Sequence, residues 1–82
     1  MDFIFLGEMI QFHRKKAGLS RNELAVIADV GKTVIYDVEH GKQTIQYQSL
    51  MKILLALNIQ IDFKSPFVEE FKKMKTHEKS IG

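Results

Sequence analysis

The chain has no cysteine, which excludes disulfides, thiolate metal sites and cysteine catalysis and leaves a reducing compartment as the default. It has a single proline, Pro66, and no apolar run near the ~18 residues that span a bilayer. The opening Met1-Asp2-Phe3-Ile4-Phe5-Leu6 lacks the basic stretch of a secretory signal, so a cytoplasmic protein with no membrane partner is expected. Charge of one sign is also scarce: the net charge of +2 permits an anionic partner without demanding one. His13, His40 and His77 are too scattered for metal-ligand spacing. No paired carboxylates, nucleophile with its base, or phosphate-cradling glycine loop can be assembled, so the chain reads as a non-enzyme that needs no cofactor.

What remains is one small domain. With 82 residues, 45% hydrophobic and 27% charged, the composition is that of an ordinary globule with one core. A domain this small is slimly stable, and without disulfides or metal the natural supplement is association with a second copy.

Apolar positions Leu6, Met9, Ile10, His13 and Ala17 recur at three- and four-residue spacing and predict a first helix over 6–17, stopped by Gly18. Ser20 followed by Glu23 is a capping box, from which a second helix of about eight residues buries Leu24, Ala25, Ile27 and Ala28 and ends in the turn Asp29-Val30-Gly31. A third helix runs over 32–40 with Val34, Ile35 and Val38 inward and Gly41 as its stop. Residues 42–46 read as a loop. Tyr47, Leu50, Met51, Ile53, Leu54, Leu55 and Leu57 make a fourth helix too apolar for one buried stripe, placing it at the core and at a subunit contact.

At Asn58-Ile59-Gln60-Ile61-Asp62-Phe63 the period changes to strict alternation, with Ile59, Ile61 and Phe63 on one side. That predicts a strand, and since no other segment alternates comparably, its mate is the same strand of a second chain. Ser65-Pro66 starts a last helix with Phe67, Phe71 and Met74 along one face, before a polar end over 75–82 that frays. The stripe formed by Phe67, Val68, Phe71 and Met74 suits either a docking helix for a protein partner or packing on the chain's own dimer. The domain division that follows is a main unit over 1–64, which includes the dimerising strand, and a tail over 65–82.

The most informative run is Ser20 to Gly41. Two short helices joined by a three-residue turn cross steeply only if the crossing residue is small and the turn tolerates unusual backbone angles, which Ala25 and Asp29 satisfy. Ile35 and Val38 then pack beneath Leu24 and Ala28, and Lys32, Thr33, Tyr36 and Asp37 point outward. This is helix-turn-helix geometry.

Over residues 6–57 the sequence resembles the lambda-repressor-like, xenobiotic-response-element type of helix-turn-helix proteins, through Gly18-Leu19-Ser20, Glu23-Leu24-Ala25 and Glu39-His40-Gly41-Lys42. Within that family, Val30-Gly31, Gly41-Lys42-Gln43-Thr44, Leu54-Leu55-Ala56-Leu57 and the alternating segment are most similar to HipB-type antitoxins, the partners of HipA-type kinase toxins. Three positions depart from the family pattern. Asp29 stands where a left-handed glycine is usual, Gly31 replaces a Ser or Thr cap, and Ile45 takes the place of a loop proline.

The resemblance implies an all-α fold: a helix-turn-helix bundle of four to five helices with a short C-terminal β-strand pairing across a homodimer. It implies a sequence-specific repressor that places helix three in the major groove of a palindromic operator and serves as antitoxin and autorepressor of a HipA-like kinase. A stand-alone repressor, or a protein that mainly neutralises a toxin, are the alternatives. By family position Lys32, Thr33, Tyr36 and Asp37 read bases, the lysine facing guanine, the threonine a thymine methyl and the aspartate cytosine N4. Ser20, Arg21, Gly31, Lys42 and Thr44 hold phosphates, with Lys15 and Lys16 adding long-range attraction. Arg14 is expected to form a partly buried ion pair with Glu39 that orients helix three, and Ile59, Ile61 and Phe63 form the dimer contact.

Overall fold

The computed structural model describes the backbone of residues 2–81 and the side chains of 2–76. It contains five helices: α1 (Phe3–Lys16), α2 (Arg21–Ala28), α3 (Lys32–Glu39), α4 (Tyr47–Ala56) and α5 (Val68–Ile81). There is no strand among the described residues.

Helix α1 starts three residues earlier than the apolar period suggests, because the Asp2 carboxylate accepts hydrogen bonds from the amides of Ile4 and Phe5 at 3.0 Å each. These are the orphan donors of a first helical turn. At α2 the capping box is complete: Ser20 Oγ accepts from the Glu23 amide at 3.0 Å and Glu23 Oε1 accepts from the Ser20 amide at 2.8 Å. The backbone hydrogen bond from Ser20 and then its hydroxyl hold the Glu23 carboxyl below the usual range.

Four helices end the same way. Gly18, Asp29, Gly41 and Asn58 take φ values of 72°, 59°, 79° and 59°. After each, an amide reaches back five residues: Leu19 to Arg14 O, Val30 to Ala25 O, Lys42 to Asp37 O and Ile59 to Leu54 O, at 2.8 to 3.1 Å. This is the Schellman closure, which satisfies carbonyls that the helix leaves open. At Asp29 a non-glycine residue adopts the left-handed conformation at some cost, and Lys52 Nζ lies 3.3 Å from its carbonyl oxygen.

Asn58 corrects one expectation. The alternation over 58–63 predicts a strand, but Asn58 closes α4, and among the described residues no other segment pairs with those that follow. Alternation reports which side a residue faces and supplies no ladder partner. Ile59 packs against the core, whereas Ile61 and Phe63 are 48% and 71% exposed.

The core is built by α1 to α4 around Ile10, Leu24, Ile35, Val38 and Ile53, which are fully buried. Ala25 and Ala28 let α2 and α3 approach, and Leu6, Leu50 and Leu54 close the cluster. One expectation about buried faces is corrected: Ile27 is exposed, since Leu24 and Ala28 already fill the α2 stripe. Tyr47 and Leu55 lie on the outer side of α4, away from the core. Leu55, 81% exposed, borders a shallow apolar groove with Met51, Leu54, Ile59 and Ile61.

Helix α1 crosses α3 at Gly7. A Cβ there would sit 2.8 Å from the carbonyl oxygen of Glu39 and closer still to that of Val38, so only glycine allows the backbones to meet. The last helix runs to Ile81 rather than ending near Met74, and it begins at Val68, two residues after Pro66. Its described side chains are exposed apart from half-buried Val68. The side chain of His77, and Gly82, lie outside the described residues.

Candidate nucleic-acid interface

The site is organised by one buried carboxylate. Glu39 is the last residue of α3, and its side chain has no exposed surface. Arg14 Nε, from the last turn of α1, donates to Glu39 Oε2 at 2.6 Å, and Arg14 Nη2 donates to Oε1 at 3.1 Å. Arg14 Nη1 donates to the carbonyl of Leu19 at 2.9 Å, tying the α1–α2 turn to the same group. Arg21 Nε, at the start of α2, donates to Oε1 at 3.0 Å, and Gln11 Nε2 reaches that oxygen at 3.4 Å.

A single carboxylate therefore fastens α1 and α2 to the C-terminal end of α3. Burial pushes the Glu39 carboxyl up, but the hydrogen bonds and charges of Arg14 and Arg21 more than offset this, and its pKa ends below the usual range. The hydrogen bond to Glu39 raises Arg14 further against the lowering effect of burial.

With its inner face fixed by Ile35, Val38 and Glu39, α3 presents its other side to solvent. Lys32 and Thr33 are exposed in its first turn and Tyr36 in its second. Gly31 caps the helix without a side-chain hydrogen bond, so no side chain from the cap covers the α3 N-terminus, where backbone amides and the helix dipole favour an anion. Tyr36 is half exposed and its ring stacks on that of His40, with centroids 3.9 Å apart and an interplanar angle of 22°. The guanidinium carbon of Arg21 lies over the Tyr36 ring, 5.3 Å from its centroid.

Asp37 is half-buried and pairs with Lys42 Nζ at 3.3 Å. The pair offsets the negative charge that Asp37 would otherwise present to a phosphate-rich surface. Asp37, Lys42 and Thr44 line a shallow groove with Val34 and Gln46 beside the outer face of α3. Ser20 Oγ accepts from the Glu23 amide and its hydroxyl faces the Glu23 carboxyl, so the capping box holds the residue at the start of α2.

The fold thus brings Lys32, Thr33, Tyr36, Asp37, Gly31, Lys42 and Thr44 onto or beside α3, with Ser20 and Arg21 at the start of α2. Ile59, Ile61 and Phe63 lie after α4 on the extended segment, outside this group. Three contributors were not singled out from sequence: Gln11, which completes the Glu39 cluster, Gly7, which sets the α1–α3 approach, and His40. His40 follows Lys32 and Tyr36 at four-residue steps, so helical spacing alone would have put it on the same face. Among the described residues no group of three histidine or acidic side chains could hold a metal ion, and no helix is long and apolar enough to cross a membrane.

A bihelical unit whose second helix is pinned from behind and polar in front is the arrangement that enters a DNA major groove. Residues 10–64 match the helix-turn-helix family, and the chain belongs to it. It is 36% identical over 61 residues to an uncharacterised HTH-type transcriptional regulator, y4mF, of Sinorhizobium fredii, a match covering 74% of this chain and 80% of that protein.

Proposed function

We propose that this helix-turn-helix DNA-binding regulator is a sequence-specific repressor that binds an inverted-repeat operator as a homodimer, with residues 1–64 as its DNA-binding and dimerisation unit. The observation that carries the reading is the division of α3. Ile35, Val38 and Glu39 are buried, while Lys32, Thr33 and Tyr36 face outward from a helix whose axis is locked by two arginines. A helix held this way fits the major groove, about 12 Å wide, where base edges carry distinct donor and acceptor patterns.

Lys32, Thr33, Tyr36 and Asp37 are the base readers in this proposal, and Ser20, Arg21, Gly31, Lys42 and Thr44 contact phosphates. The Asp37–Lys42 pair stands between the two sets: Lys42 Nζ engages one carboxylate oxygen, Oδ2, and the other can accept from a cytosine amino group. Lys32→Ala is expected to cost ~1–3 kcal/mol at one or two base pairs and leave other positions unchanged. Binding titrations on single-base operator variants read this out, and an equal loss on every sequence contradicts the assignment.

Support for the dimer comes from the apolar groove of Met51, Leu54 and Leu55 beside exposed Ile61 and Phe63. Strand pairing of residues 59–63 with a second copy would cover that surface and supply a ladder partner, and two-fold symmetry sets half-sites about 34–36 Å apart or a multiple of that. Ile61→Asp is expected to give a monomer by sedimentation, and an unchanged dimer places the interface elsewhere.

A second reading, that the chain is also the antitoxin of a HipA-like kinase, draws on the exposed Phe67, Phe71 and Met74 of the last segment, a face suited to a protein groove. Co-purification with the product of an adjacent kinase-like reading frame tests it. Absence of such a frame favours a stand-alone repressor.

A further inference from the structure

We propose that Arg21, Tyr36 and His40 act as one preorganised stack, in which Arg21 and His40 are positioning residues that fix the Tyr36 ring for the groove before DNA arrives. The inference rests on Tyr36 being a base reader. A half-exposed tyrosine on a helix surface would ordinarily sample several rotamers, and ordering it on binding would cost affinity. Here its ring lies against the imidazole of His40 at 3.9 Å between centroids, nearly parallel, and the Arg21 guanidinium lies over it at 5.3 Å.

Both neighbours are themselves held. His40 Nδ1 is 2.7 Å from the Tyr36 carbonyl oxygen, and because a carbonyl only accepts, Nδ1 carries the proton and donates. That bond orients the imidazole along the helix from which Tyr36 projects. Arg21 is held by its Nε bond to the buried Glu39 carboxylate at 3.0 Å. The chain of restraint therefore runs from the core carboxylate through Arg21 to Tyr36, with His40 bonded to the Tyr36 backbone and stacked on its side chain. Arg21 has a role here besides phosphate binding, since its Nε is engaged with Glu39 inside the protein and its guanidinium lies over the Tyr36 ring.

The stack makes a prediction that a direct His40–DNA hydrogen bond does not. His40→Ala removes the ring and is expected to weaken binding to the duplex selected by the wild-type chain from a randomised library by about two- to tenfold, the range of one aromatic pair. Affinity for a scrambled duplex should be unchanged. His40→Phe, which stacks but cannot hydrogen-bond, is expected to restore binding to within about twofold of wild type. Equal losses for His40→Ala and His40→Phe would overturn the proposal in favour of a direct contact, and no loss in either would overturn it outright.

NMR of the free chain supplies an arm independent of DNA. Tyr36→Ala should move the His40 ring protons downfield by removing the ring current of a stacked neighbour, and unmoved resonances mean that no stack exists. If the wild-type chain selects no duplex, the regulator reading fails, and these ring shifts alone decide whether the stack stands.

Discussion

Removing the Glu39 carboxylate is the sharpest perturbation of this fold. The group is entirely buried and accepts from Arg14 twice, from Arg21 and from Gln11. Glu39→Ala leaves Arg14, itself 7% exposed, as an uncompensated buried cation, a loss of ~3–5 kcal/mol. Arg21 adds little to that figure, because about a third of its side chain is exposed and it can turn to water.

A chain of 82 residues has a total stability of about 4–12 kcal/mol, so the substitution removes much of it. With a urea slope of about 1 kcal/mol/M, the unfolding midpoint followed by circular dichroism is expected to fall by ~3 M or more, or the chain to be unfolded in buffer. The combined variant Arg14→Leu with Glu39→Leu exchanges the pair for apolar groups. It should recover more than half of the loss, since neither charge is then stranded. A cost below ~1 kcal/mol for Glu39→Ala would mean that water reaches the carboxylate and that α3 is not anchored through it.

Two further outcomes follow from the same packing. Gly7→Ala gains helix propensity but drives a methyl into the carbonyls of Val38 and Glu39, and a net destabilisation of ~1–3 kcal/mol in chemical unfolding is expected; a stabilised variant would mean that the helices do not cross there. The depressed pKa of Glu39 contributes stability that is fully present above the unfolded-state value near 4.5 and lost as pH falls through the lower folded value. Urea midpoints measured across acidic pH should therefore decline below about pH 4.5 in the wild-type chain, and the decline should be shallower in the Arg14→Leu, Glu39→Leu variant.

The elements that follow local rules were legible in the sequence. The Ser20 and Glu23 box, the glycine stops at 18 and 41 and the turn at Asp29 each carry their own short-range signal, and the structure has helix boundaries at all of them. The start of α1 was missed because Asp2 lies outside the apolar period that marked the helix. Asn58 was assigned to a strand because an alternating stretch follows it, although asparagine tolerates the left-handed closure that it makes after α4.

Long-range contacts were less legible. Gly7 has no local reason to be glycine, and its purpose emerges only when α3 lies across it. The Arg14–Glu39 contact came from family resemblance, whereas Arg21 sharing the same carboxylate depends on how α2 crosses α3, which spacing along one chain does not encode. Ile27 illustrates the converse: hydrophobic character marks what can be buried, and packing geometry decides what is.

Entry of α3 into the major groove is tested most directly by dimethyl sulfate footprinting on the protein's own upstream region, because the reagent methylates guanine N7 in the major groove and adenine N3 in the minor groove. Protection of guanine N7 in two clusters about one helical turn apart, lost in Lys32→Ala at one symmetry-related position in each cluster, is the expected result. Protection confined to adenine N3, or none at low ionic strength, would contradict it.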